Sequence, residues 1–173
     1  MRRPGFTLIE VVIVTLFITF CVWTGRWGYS WYVRSSRADA AEGFVQHLAE
    51  AERAYLSKHG RFLGIHEARL DAYPGPIPAE GAVIDKLPAE FLELGSIEAP
   101  ESPFFFRVAV FAGAQDAPTA ELLKDSALVP FPVTKEPWFY LVAFADQDGD
   151  GEFSKLEASS WDENGVVQTA RTE

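Results

Sequence analysis

The stretch that decides the fold is Phe6–Trp23, FTLIEVVIVTLFITFCVW, eighteen residues in which Glu10 is the one charged group. As an α-helix rising ~1.5 Å per residue it measures about 27 Å, close to the thickness of a bilayer's hydrocarbon core. Val11, Val12, Ile13, Val14 and Ile18 are β-branched and lower the helix propensity in water. Lipid reverses that preference, because backbone amides and carbonyls with no water to bond must satisfy one another. The sequence therefore predicts a membrane-spanning helix.

Glu10 stands out within it. A carboxylate inside a spanning segment is disfavoured by roughly 2.5–3.5 kcal/mol on insertion scales, so such a residue needs a partner or a route back to the interface. Upstream, Met1-Arg2-Arg3-Pro4-Gly5 is a cationic stub too short for the charged and apolar regions of an ordinary secretory signal, and Thr24-Gly25-Arg26 offers no small-x-small cleavage site.

Gly5-Phe6-Thr7-Leu8-Ile9-Glu10, preceded by basic residues and followed by an apolar run, resembles the class III signal of type IV prepilins, the family of type IV pilins and type II secretion pseudopilins. The resemblance implies that residues 1–5 are a leader removed by prepilin peptidase between Gly5 and Phe6. It also implies N-terminal methylation of the new terminus at Phe6. Glu10 then neutralises the terminal amine of a neighbouring subunit inside the filament, where a low dielectric strengthens the attraction. Arg2 and Arg3 lie on one side of the span and Arg26, Arg34 and Arg37 on the other, so the positive-inside rule does not fix the orientation. The resemblance places the leader in the cytoplasm, the anchor in a bacterial inner membrane and the head in the periplasm. The chain departs from major pilins in lacking a kinking proline in the stem and in its wealth of aromatics there, which points to a minor pilin or pseudopilin. Trp23, Trp27, Tyr29, Trp31 and Tyr32 read as an interfacial aromatic belt.

The expected organisation follows. Residues 6–25 form a transmembrane and assembly helix, 26–60 its amphipathic continuation, and 61–173 a globular head. In Ala38–His59, Ala41, Val45, Leu48, Ala51 and Tyr55 recur at intervals of three or four, with Glu42, Gln46, Glu50, Arg53 and Lys58 between them. Gly60 suits a left-handed C-terminal cap, and Gly25 and Gly28 are the expected site of a kink. Six prolines in residues 64–103 predict a broken connection with one short helix near Pro88–Leu94. A second short helix is expected at Thr119–Lys124. Strands are predicted at Phe104–Phe111, Trp138–Phe144 and Gly165–Thr169, giving an α+β class: a type IV pilin-like fold with a long N-terminal helix on a small antiparallel sheet.

The segment Asp146–Glu157, DQDGDGEFSKLE, fits D-x-D-x-D-G-x5-E, the spacing of a calcium loop. Carboxylates at alternate positions converge on one hard cation, glycine permits the sharp turn, and a final glutamate supplies two oxygens. The candidate ligands for Ca²⁺ are Asp146, Asp148, Asp150, Glu152 through its carbonyl, Ser154 and Glu157. Strand-like flanks set this loop apart from a paired EF-hand sensor. A plain acidic turn between strands has the same composition.

Composition excludes some classes. Net charge is −10, and from Ala38 onward ten basic residues face twenty-four acids, which disfavours nucleic acid. The one cysteine, Cys21, forbids an intramolecular disulfide. His47, His59 and His66 form no ligand or triad spacing, no phosphate loop or nucleophile elbow is present, and no small-molecule substrate or enzymatic activity is expected. The expected partners are the membrane, prepilin peptidase and fellow pilin or pseudopilin subunits. The alternative is a membrane-anchored calcium-binding module outside any filament.

Overall fold

A computed structural model describes residues 7–66, 72–73, 75, 87–95, 97, 105–114, 136–145, 154–162 and 167–169. The chain divides into two compact units, Met1–Ser36 and Arg37–Glu173.

Helix α1, Leu8–His59, is one continuous α-helix of 52 residues, and its hydrogen-bonded run passes through Gly25 and Gly28 without interruption. In the first unit its large apolar side chains are exposed, from Leu8 at 83 % to Val12 at 47 %, so nothing within that unit covers them. Thr15, Thr19 and Thr24 return their hydroxyls to the carbonyls of Val11, Thr15 and Phe20, which hides their polarity along the helix wall.

In the second unit the helix is amphipathic, as the spacing predicts. Ala41, Val45, Leu48, Ala51 and Tyr55 are buried, while Gln46, Glu50, Arg53 and Lys58 stay exposed. Gly60 ends the helix at φ 71°, its amide donating to the Leu56 carbonyl at 2.8 Å. Only glycine takes that left-handed conformation without steric cost.

Strands β1 (Phe106–Gly113), β2 (Trp138–Ala145), β3 (Ser154–Ser159) and β4 (Val167–Thr169) form one antiparallel sheet in the order β1-β2-β3-β4. Three strands are expected from the sequence, and the structure has four. The added strand, β3, occupies residues 154–157 of the stretch read as an acidic loop. One face of the sheet carries Phe106, Val108, Val110, Phe139, Leu141, Ala143, Leu156 and Ala158, which share a core with the α1 residues above. Phe44 meets Phe106 at 5.6 Å between ring centroids, and Phe62 meets Phe139 edge-on at 4.9 Å. Each such side chain contributes about 1.5–3 kcal/mol when fully buried.

The second face is buried as well, with Ala109, Phe111, Trp138, Tyr140 and Val142 in a separate cluster. Burial on both sides explains why β1 and β2 read as nearly unbroken apolar runs. The outer edge of β1 is occupied by the chain that follows α1. Ile65 and His66 donate their amides to the Val110 carbonyl, and Tyr73 pairs with Val108 through bonds of 2.9 and 2.7 Å. That pairing removes an open edge. Between these pieces, helix α2, Ala89–Leu92, sits where the short helix is expected and buries Phe91. The second short helix expected, at Thr119–Lys124, lies outside the described residues.

Candidate functional site

Of the N-terminal processing residues, Gly5 and Phe6 lie outside the described residues and Glu10 lies within them. Thr7 directly precedes α1 and Glu10 is its third residue. The Glu10 carboxylate accepts from the Thr7 amide at 2.8 Å and from the Thr7 hydroxyl at 2.8 Å, while the Glu10 amide donates to that hydroxyl oxygen at 3.4 Å. This reciprocal arrangement is a capping box, which satisfies amides that the first helical turn otherwise leaves unbonded. Thr-x-x-Glu at 7–10 announced it, a signal that attention to the glycine and the glutamate alone passes over. The carboxylate is exposed and local in its bonding, so its charge is available at the start of the helix.

Behind Glu10 the helix is long and apolar enough to cross a membrane, and its most apolar eighteen-residue window is wholly exposed in the chain. Cys21 is a free thiol on this surface. Within the first unit, then, the helix offers a capped acidic start, an uncovered apolar wall, and the aromatic group Trp23, Trp27, Tyr29, Trp31 and Tyr32, each at least 65 % exposed.

The second candidate site is the acidic segment. Asp146, Asp148, Asp150 and Glu152 lie outside the described residues; Ser154 and Glu157 lie on β3. Ser154 pairs with Ala145 and Glu157 with Val142, an odd offset along a strand, so their side chains project to opposite faces of the sheet. The two therefore do not converge on one ion while β3 is intact. Glu157 is fully buried on the face away from α1. There the Tyr140 hydroxyl donates a short hydrogen bond to its Oε1, and Lys155 Nζ approaches the same oxygen at 3.0 Å. Tyr140 and Glu157 are diagonal neighbours across β2 and β3, within reach of long side chains. Tyr140 in turn stacks between Phe111 and Trp161, each at 6.2 Å. Of the expected twelve-residue ligand set, then, the described residues show Ser154 and Glu157 on opposite faces of β3, with Glu157 bonded to Tyr140 and Lys155. Among the described residues no three His, Cys, Asp or Glu side chains are grouped to hold a metal.

The histidines are dispersed. His47 and His59 are exposed, His59 against Tyr55, and His66 accepts the Val110 amide through Nδ1 at 3.0 Å. One buried acid was not anticipated. Glu52 lies on the core face of α1, fully buried, and its carboxylate accepts the Leu63 amide at 2.9 Å. No family model, no curated protein and no solved structure matches the chain.

Proposed function

We propose that this chain is a structural subunit of a type IV pilus or a secretion pseudopilus, a minor pilin or pseudopilin in kind. It is processed between Gly5 and Phe6, held in a bacterial inner membrane by the first half of α1, and assembled through that helix with its head in the periplasm. The observation that carries this reading is the motif Gly5-Phe6-Thr7-Leu8-Ile9-Glu10 at the head of an apolar helix whose side chains are left uncovered. Uncovered apolar surface of that extent requires lipid or other helices around it. Association, not turnover, is the chemistry the segment supports. Calcium binding by the Asp146–Glu157 segment belongs to the same proposal, as an element that orders the loop.

The capping box favours a second reading. Because Thr7 and Glu10 satisfy each other, Glu10 also fits a plain membrane anchor in which the acid only begins the helix. Glu10→Gln separates the two, since glutamine also serves in a capping box but carries no charge for a neighbour's amine. Under the filament reading, Glu10→Gln inserts in the membrane normally and fails to enter the polymer, and Gly5→Leu accumulates as a precursor retaining residues 1–5. Glu10→Gln polymerising like the parent, or a mature chain beginning at Phe6 despite Gly5→Leu, overturns it.

A further inference from the structure

The chain leaving α1 is fastened at both ends. At its start Gly60 turns it at φ 71°, and the Leu63 amide donates to Glu52 Oε2 at 2.9 Å. At its far end the Ile65 and His66 amides donate to the Val110 carbonyl at 3.1 and 2.9 Å, and His66 Nδ1 accepts the Val110 amide at 3.0 Å. Residues 60–66 thus form a strap that occupies both backbone groups of Val110 on the side of β1 away from β2. The strap lies at the surface, with Gly60, Arg61 and Gly64 exposed and Phe62 buried. Glu52, by contrast, is fully buried, and its Oε1 has no hydrogen-bond partner among the described residues. No described charged group compensates it. On α1, Arg53 reaches over the Phe139 ring and His59 stacks on Tyr55, while Glu50 and Lys58 are exposed. The sheet face toward α1 is lined by Phe106, Val108, Val110, Phe139, Leu141 and Leu156, and Arg107, Lys155 and Glu157 lie on the other side. Helix α2 turns Glu90 and Glu93 outward, His66 lies against Phe91, and the Tyr73 phenol beside it is kept neutral by burial.

A buried carboxylic acid with one hydrogen bond is tolerated, whereas a buried carboxylate with one is costly unless water or a cation reaches its second oxygen. Lifting the strap admits water to Glu52 and relieves that cost. We propose that Glu52 is a pH-sensitive latch: its neutral acid holds the strap closed along the β1 edge, and its ionisation frees the strap and bares the Val110 amide and carbonyl. Burial raises the carboxyl from its ordinary 4.5 to about 7 in the closed form, and water lowers it again in the open one. The closed strap is therefore fully favoured below about pH 4.5 and loses ground as pH rises through about 7. A bared Val110 is an open sheet edge, able to pair with another strand.

The test is hydrogen exchange of the full chain in detergent micelles, read amide by amide at about pH 5 and about pH 8 and divided by the intrinsic rate at each pH. Protection of Leu63, Ile65, His66 and Val110 should lie below that of the amides shared by β2 and β3 at both pH values. It should fall by on the order of 50-fold from the lower pH to the higher. In Glu52→Gln, which cannot ionise, the same amides should keep their protection across the range. Strap amides that exchange as slowly as those between β2 and β3, or that stay equally protected at both pH values in the parent, overturn the latch. So does a fall of equal size in Glu52→Gln, which assigns the titration to another group.

Discussion

The amide of Leu63 donates to the carboxylate of Glu52 at 2.9 Å, tying the chain that leaves α1 back onto the helix across eleven positions. Glu52 is fully buried, and its Oε1 has no hydrogen-bond partner among the described residues. Burial disfavours the ionised form and pushes the carboxyl from its ordinary 4.5 up to about 7, against the opposing pull of the Leu63 amide. The folded state thus holds this proton more tightly than the unfolded chain does. Stability from this group is fully present below about pH 4.5, falls as pH rises through about 7, and is level above that. The loss is at most on the order of 3 kcal/mol. Glu52→Gln keeps an oxygen for Leu63 and removes the charge. Its melting temperature should match the parent's near pH 4.5 and exceed it by several degrees at pH 8, followed by near-ultraviolet circular dichroism of the detergent-solubilised chain. Identical profiles for the two would show that the fold does not strain this proton equilibrium.

On the opposite side of the sheet the burden falls on Tyr140. Its hydroxyl and Lys155 share the Glu157 Oε1, and Glu157 is fully buried. Tyr140→Phe preserves the stacking with Phe111 and Trp161 and removes the donor alone. Leaving a buried carboxylate short of a partner costs about 1–3 kcal/mol. The urea midpoint of the head should fall accordingly, with an unchanged m-value. An unmoved midpoint would show that the Tyr140 hydroxyl is dispensable to Glu157.

This cluster also explains which parts of the fold were legible. The helix period of Ala41, Val45, Leu48, Ala51 and Tyr55, the Gly60 cap, and the apolar runs of β1 and β2 all follow from local rules, and the structure bears them out. Strand β3, Ser-Lys-Leu-Glu-Ala-Ser, did not announce itself. All six of its residues are buried, three of the four polar ones on a face that sequence rules assign to solvent. Those polar groups are tolerated because Glu157 pairs with both Lys155 and the Tyr140 hydroxyl, and the Ser159 hydroxyl accepts the Asp162 amide at 3.2 Å. Such cross-strand compensation has no signature along the chain. Glu52 was missed for a related reason: its amide partner lies beyond the helix end, where no periodicity reaches.

Gly113 ends β1 opposite Trp138. A Cβ built there would overlap the Trp138 indole, so the glycine is what lets that ring lie flat across the strand end. Gly113→Ala should destabilise the head by about 1–3 kcal/mol through displacement of the ring. Trp138→Leu on the Gly113→Ala background should recover part of that loss, giving a coupling energy in a double-mutant cycle. Simple additivity of the two changes would show that the alanine acts on the backbone and not through the indole.

The acidic segment separates into two roles that calcium can distinguish. If Asp146, Asp148 and Asp150 meet around an ion, Asp148→Asn should abolish the rise in melting temperature that millimolar calcium gives the parent, and should change little in chelator, because ion binding stabilises only the folded loop. Glu157→Gln should behave differently. Its carboxylate already serves Tyr140 and Lys155, so the variant should melt lower by a similar amount with and without calcium. A Glu157→Gln defect seen only in calcium would return that residue to the ligand set and require β3 to turn its face on binding. A parent insensitive to calcium would remove the ion from the account of this segment.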